Sequence, residues 1–195
     1  MPLTYIIPIG PYGSGKTTLR TQMQNGDYSL LTKFNLLNNN DVYFMSTCRD
    51  EVFYQVRILE KNSVNKTRRI LFDKFEQFFQ EIIDLCAQDS KDVSVSQKNI
   101  VVYFDSTNAK LGNRRDLCKR ITPDNILLIN FRCSNVQTLL SRTLNRIEHP
   151  TFPKEEESQR KNIEKVLPFI EYGNRNEFEV VGISSDNVYI ENICF

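Results

Sequence analysis

The sequence predicts an α/β domain with a parallel sheet of about five strands flanked by helices. Two observations carry that expectation. Short apolar runs rich in β-branched and aromatic residues alternate along the chain with stretches of helical period, the pattern that buries a parallel sheet between helices. Polar and charged residues collect just past the ends of those runs, where ligands sit on such sheets. With 195 residues the chain can build one substantial core and is short for two, so a single domain over 1–195 is expected.

The first element organises the rest. Leu3 to Pro8 is an apolar run that reads as a buried strand, and Thr18, Leu19, Gln22 and Met23 begin a helical pattern. Between them lies Gly10-Pro11-Tyr12-Gly13-Ser14-Gly15-Lys16-Thr17, which fits Gly-x-x-x-x-Gly-Lys-Ser/Thr in the strand–loop–helix context that motif requires. Gly13, Ser14, Gly15, Lys16, Thr17 and Thr18 are therefore expected to bind a nucleotide. Backbone N–H groups cradle the phosphates at a helix N-terminus. Lys16 supplies an ammonium to the β- and γ-phosphates, and the Thr17 hydroxyl a ligand to Mg²⁺.

After Asn25-Gly26-Asp27 the stretch Leu30 to Asn40 carries no clear period. Asp41 to Thr47 reads as the second strand, followed by Cys48-Arg49-Asp50-Glu51 and a helix over about Glu51 to Glu60. Thr67 to Ala87 is the clearest long helix, with Ile70, Leu71, Phe75, Phe78, Phe79, Ile82, Ile83 and Cys86 at three- and four-residue steps, a stripe that belongs to the core. Asn99 to Phe104 is a third strand reaching Asp105. A helix is expected over Asn113 to Ile121, a fourth strand over Asn125 to Cys133 and a helix over Val136 to Arg146. His149 to Pro153 breaks that helix. A charged helix follows over about Lys154 to Ile170, bent near Pro168, and a fifth strand over Glu177 to Ile183.

Composition sets limits. The 25 basic and 24 acidic residues leave a net charge of +1 with 40% hydrophobic residues, which argues against a general polyanion-coating protein but allows a local basic groove. Five cysteines with no Cys-x-x-Cys spacing and a single histidine exclude the common zinc sites, so reduced, mostly buried thiols are expected. The N-terminus lacks the features of a signal peptide, and no apolar run approaches membrane-spanning length. An intracellular, reducing compartment (cytoplasm or nucleus) with no membrane partner is the expectation.

Several residues past the strands could do chemistry. Asp50 could accept the proton of a hydroxyl under attack, or simply cap a helix, and the residues alone leave both open. Arg49 beside it could hold an anionic substrate. Asp105 ends a hydrophobic strand, the Walker B arrangement in which the acid orients Mg²⁺ or its waters. Arg142 and Arg146 lie four apart on one helix face and could neutralise a transferring phosphoryl group. Arg68 and Arg69, Arg114 and Arg115, and Lys119 and Arg120 read as solvated surface, as do the charges from Lys154 to Lys165.

With these residues in order, the sequence resembles the kinase domain of phage-type 5′-hydroxyl polynucleotide kinases, relatives of the kinase modules of tRNA ligases and RNA-repair enzymes. The shared features are the Gly10 to Thr18 loop, Arg49-Asp50, Asp105-Ser106-Thr107-Asn108, and Arg142 with Arg146 before a proline-containing segment. The resemblance implies a P-loop kinase fold with a helical lid at about 135–165. It implies ATP or another nucleoside triphosphate and Mg²⁺ as cofactors, and RNA or DNA with a 5′-hydroxyl end as partner. In the family's pattern Asp50 is the general base, and Lys16, Arg142 and Arg146 stabilise the transferring group. Thr17 and Asp105 serve the metal. Arg49, Arg57 and Asn108 are the substrate-binding candidates. Ser106 is an extra residue in the family's aspartate-threonine-asparagine turn.

Two alternatives stand beside this expectation. One is a P-loop kinase of a small molecule such as a nucleoside or sugar. The other is a nucleotide-dependent binding or switch module, although Asn65-Lys66-Thr67-Arg68 lacks the aspartate of a guanine-reading motif and no aromatic RNA-binding motif is present. Oligomeric state is left open.

Overall fold

β1 (Leu3–Ile9) lies in the middle of the sheet with a strand on each side. The computed structural model describes residues 2–48, 52–53, 55–56, 63–89, 98–145 and 155–195. In it β1 pairs in parallel with β3 (Asn99–Asp105) and with β4 (Asn125–Arg132). β2 (Val42–Cys48) adds outside β3, and β5 (Val188–Cys194) outside β4, giving the order β2-β3-β1-β4-β5 with every pairing parallel. Every residue of β1 and β3 is buried, which is why both read as unbroken apolar runs rather than as alternating strands. The α/β architecture and the five parallel strands are as the sequence predicts.

The strand period of two divides the side chains between two layers. Tyr5, Ile7 and Ile9 of β1, with Val102 and Phe104 of β3, pack beneath α3 (Val64–Asp89) and α4 (Leu111–Arg120). Ile6, Val101, Tyr103 and Leu127 meet Met23 of α1 (Lys16–Gln24) and Leu31 of α2 (Ser29–Lys33) on the opposite face. The helix α2 falls in the stretch whose sequence carried no clear period. At the end of the sheet that bears the glycine-rich loop, α5 (Val136–Leu144) and α6 (Glu156–Val166) share a smaller core of Leu139, Leu140 and Ile163. Pro168 sits in the 3-10 turn Leu167–Phe169 that follows α6. Of the helix expected over Glu51 to Glu60, only 52–53 and 55–56 are described, and they are helical.

The expected fifth strand over Glu177 to Ile183 is overturned. Arg175–Val181 is a 3-10 helix, and the strand beside β4 is Val188–Cys194. The cause is a capping box: the Asn174 side chain accepts from the helix start, while Glu177 accepts from the Asn174 N–H at 3.1 Å. Gly182, at φ 84, closes the other end.

Arg114 is a second correction. Expected on the solvated surface, it is 1% exposed and forms a two-pronged pair with Glu177, Nε to Oε1 at 2.8 Å and Nη2 to Oε2 at 3.0 Å. Its neighbour Arg115 is half-buried and donates to the Glu177 carbonyl at 2.6 Å. Arg68, Arg69, Lys119 and Arg120 are exposed as expected. All five cysteines are free thiols, but only Cys118 and Cys133 are buried, and Cys194 is exposed at the end of β5. Among the described residues no helix is long and apolar enough to cross a membrane.

Candidate functional site

The ladder between β1 and β3 stops at Ile6 and Tyr103, while that between β1 and β4 runs on to Ile9 and Asn130. Pro8 has no N–H with which to extend a ladder. Its carbonyl instead accepts from Nδ2 of Asn108 at 2.8 Å. Asn108 is in the left-handed region at φ 44, and the same amide also donates to the carbonyls of Phe104 and Ser106. Gly10 N–H donates to the Thr107 carbonyl at 3.2 Å. The Asp105–Asn108 turn is thus bound to the end of β1 where the glycine-rich loop leaves it. Arg114 supports the turn from below, donating from Nη1 to the Asn108 carbonyl at 2.8 Å. Asn108, expected to contact substrate, has its amide nitrogen engaged in this loop architecture.

The loop then rises over the strand ends. Gly13 (φ 77) and Gly15 (φ 97) both adopt the conformation that side chains disfavour. At Gly13 a Cβ would also lie 2.7 Å from the Leu139 carbonyl and 3.0 Å from Thr143 Cγ2, so this glycine lets α5 pack directly on the loop. At Gly15 the nearest atom to a Cβ would be Phe131 Cε1 at 3.8 Å, and the requirement is the backbone angle alone. Gly15 is the N-cap of α1, which has no side-chain cap and no acid in its first turn. A helix start of that kind is suited to an anion.

Lys16 is the first residue of α1 and is 7% exposed. Its Nζ folds beneath the loop and donates to the carbonyls of Gly10 (3.0 Å) and Pro11 (2.7 Å) and to Ser14 Oγ (3.2 Å). Tyr103 reaches across from β3, its hydroxyl donating to the Lys16 carbonyl at 2.7 Å. Burial, with the Asp105 carboxylate adding to it, pushes the Tyr103 hydroxyl well above its ordinary pKa, so it remains a donor. One turn along α1, Arg20 Nε lies 3.5 Å from Asp105 Oδ2, both groups nearly enclosed. Ser14 is buried, Thr17 half-buried and Thr18 exposed.

Thr17 and Asp105, the expected metal residues, offer a hydroxyl and a carboxylate. These are hard oxygen donors of the kind Mg²⁺ takes together with water and phosphate oxygens, so the pair fits that ion. Among the described residues no group of three or more His, Cys, Asp and Glu forms an all-protein metal cage. Cys48, the last residue of β2, is in register with Asp105. Arg49, Asp50, Arg57, Arg146 and His149 lie outside the described residues. Arg142 is exposed on α5, with its guanidinium 4.1 Å from the centre of the Phe195 ring. Leu139 and Thr143, on a neighbouring face of that helix, are the residues that approach Gly13.

No family model matches the chain, and no curated protein matches it. Solved structures with a distant likeness include the following two. Kti12 of Chaetomium thermophilum in complex with ADP-AlF3 has 18% identity and a TM-score of 0.47, covering 97% of this chain and 88% of that one. Deoxyadenosine kinase of M. mycoides with bound dATP has 11% identity and a TM-score of 0.36, covering 98% of this chain and 91% of that one. At these scores no role is carried over from either protein.

Three residues of the site escaped the sequence reading. Arg20 left one trace, a charged residue in the buried stripe of α1 beside Met23. Tyr103 looked like any core residue of an apolar strand, and nothing local marks its hydroxyl. Glu177, 63 residues from Arg114, left no trace at all.

Proposed function

We propose that this chain is an ATP- and Mg²⁺-dependent kinase that phosphorylates the 5′-hydroxyl end of RNA or DNA. The observation that carries the reading is the arrangement around Lys16. An uncapped helix start and a buried ammonium are hydrogen-bonded to the loop and to Tyr103 at the end of the central strand, with the Asp105 carboxylate 3.5 Å from Arg20 one turn along the same helix. Gly13 to Thr18 hold the phosphates, with Lys16 leaving its loop carbonyls to meet the β- and γ-oxygens. Thr17 and Asp105 hold Mg²⁺, which neutralises phosphate charge when bound. Asp50, two residues beyond β2, accepts the proton of the attacking hydroxyl. Arg142 and Arg146, from the helical lid at about 135–165, take up charge on the transferring group. Arg49 and Arg57 meet the acceptor strand.

The test is transfer from γ-labelled ATP with Mg²⁺ to matched 5′-hydroxyl RNA and DNA oligonucleotides, with Asp50→Asn alongside. Label on an oligonucleotide that disappears with Asp50→Asn supports the reading and identifies the preferred polymer. Nucleotide binding without transfer to either polymer overturns it. A panel of nucleosides and sugars in the same assay examines the small-molecule kinase. A cleft of about 620 Å³ lies beside the end of β2.

A further inference from the structure

The cleft just mentioned lies between Ser46–Cys48 at the end of β2 and one side of α3. Phe72 on its helix wall is 58% exposed. Phe75 and Phe78, one and two turns on, also line the cleft but are half-buried against the main core, so the aromatic floor is anchored and Phe72 stands free of it. Arg68 and Lys74, both exposed, flank Phe72 along the helix. Arg68, one turn before Phe72, is on the same side of α3, whereas Lys74, two residues after it, lies about 160° round the helix at the other edge of the cleft wall. Glu81 also lines the cleft, about 10 Å beyond Lys74 along the helix.

One wall that carries an exposed aromatic ring and two cations is what a single nucleic-acid strand requires. Its backbone seeks positive charge, and each of its bases offers a face to stack. A neutral sugar or nucleoside has no use for two cations on the wall. Cys48, which lines the cleft at the end of β2, lies in register with Asp105. A strand bound there lies beside the sheet end that carries the candidate phosphotransfer site.

We propose that this cleft binds the terminal nucleotides of a single-stranded RNA or DNA, with Phe72 stacking on a base and Arg68 and Lys74 meeting phosphates. The assignment deepens the kinase reading and rests on it for the identity of the strand as acceptor.

The test separates binding from turnover. A 3′-labelled, 5′-hydroxyl oligonucleotide is titrated without ATP and followed by fluorescence anisotropy at several salt concentrations. The variants are Phe72→Ala, Phe72→Tyr and Lys74→Gln. Ile83→Ala, an exposed apolar residue of α3 outside the cleft, is the control. Phe72→Ala is expected to weaken binding about tenfold, the scale of one lost base–aromatic stack, with Phe72→Tyr restoring it and Ile83→Ala changing nothing. Lys74→Gln is expected to lower the log–log salt slope by about 0.7. Unchanged ADP binding in each variant confirms a folded site. Wild-type protein that binds no oligonucleotide, or Phe72→Ala that binds as wild type does, overturns the assignment. Label transfer with an unaltered oligonucleotide KM in Phe72→Ala overturns the cleft and leaves the kinase reading standing. Phe72-dependent binding without transfer overturns the kinase reading and leaves the cleft as a strand-binding site.

Discussion

The hydroxyl of Tyr103 donates to the carbonyl of Lys16 at 2.7 Å, which ties the core of β3 to the first turn of α1. The bond crosses from a fully buried strand, paired on both sides, to the residue whose side chain lies beneath the glycine-rich loop. Tyr103→Phe keeps the ring and removes the donor. It is expected to cost about 1 kcal/mol of stability, the net value of one such bond, and to weaken ADP binding. Urea unfolding and an ADP titration check both effects. A variant with wild-type midpoint and affinity would show that the bond does not hold the loop.

Arg114 and Glu177 join α4 to the 3-10 helix Arg175–Val181 and also support the Asn108 carbonyl. Both side chains are almost wholly enclosed. Removing one partner leaves a buried charge without its complement, which costs about 3–5 kcal/mol. Arg114→Ala and Glu177→Ala are each expected to lose stability on that scale, and Arg69→Ala, at an exposed position, almost none. Chemical denaturation of the three variants decides the matter.

The two glycines of the loop should respond differently to alanine. Gly13→Ala combines a φ of 77 with a Cβ 2.7 Å from the Leu139 carbonyl, so α5 must move. Gly15→Ala meets only the backbone penalty of about 1–2 kcal/mol. Gly13→Ala is therefore expected to be the more damaging in thermal unfolding. Equal effects would mean that α5 does not rest on the loop in solution.

The sheet core and the loop were legible because their signals are local. An apolar run marks each of β1 and β3, and the spacing of Gly10, Gly15 and Lys16 marks the site. The fifth strand was misplaced because Glu-Phe-Glu-Val-Val-Gly-Ile alternates as a strand does, while Val188–Cys194 has a similar pattern. What decides between them is non-local. Glu177 is drawn into a capping box and a pair with Arg114, and β4 offers its edge to Val188–Cys194 in register from Ile126 to Arg132. Phe72 stands outside the apolar stripe read from the sequence, and its place on a cleft beside the end of β2 is a matter of tertiary packing with no local signal.

Three buried protons are expected to make the fold lose stability at alkaline pH. Burial, with the Glu177 charge adding to it, pushes the Cys118 thiol from 9.0 up to about 12. Burial also raises the Tyr5 and Tyr103 hydroxyls above 10.0. The native state holds these protons more tightly than the unfolded chain, so the unfolded chain releases them first as pH rises. Their contribution is fully present below about pH 9 and is lost as pH climbs through the native values. Urea midpoints are expected to be flat up to that point and to fall above it. Cys118→Ala should delay the onset, because the tyrosines of the unfolded chain ionise later than its cysteines. An onset that does not shift would assign the alkaline limit to the tyrosines alone.

Arg142 is the one described member of the expected arginine pair, and its guanidinium rests over the Phe195 ring rather than over the loop. If Arg142 is recruited to the phosphates of a bound triphosphate, it must leave that ring, and the contact it gives up counts against binding. A cation–π contact at an exposed site is worth about 0.5–1 kcal/mol. Phe195→Ala is therefore expected to tighten ATP binding by about two- to fivefold, because the competing contact is gone. Arg142→Ala should weaken ATP binding, and the double variant should match Arg142→Ala, since Phe195 acts only through the arginine. The three titrations form a closed cycle. Additive effects would separate the two residues, and unchanged affinity in Arg142→Ala would remove the arginine from the nucleotide site.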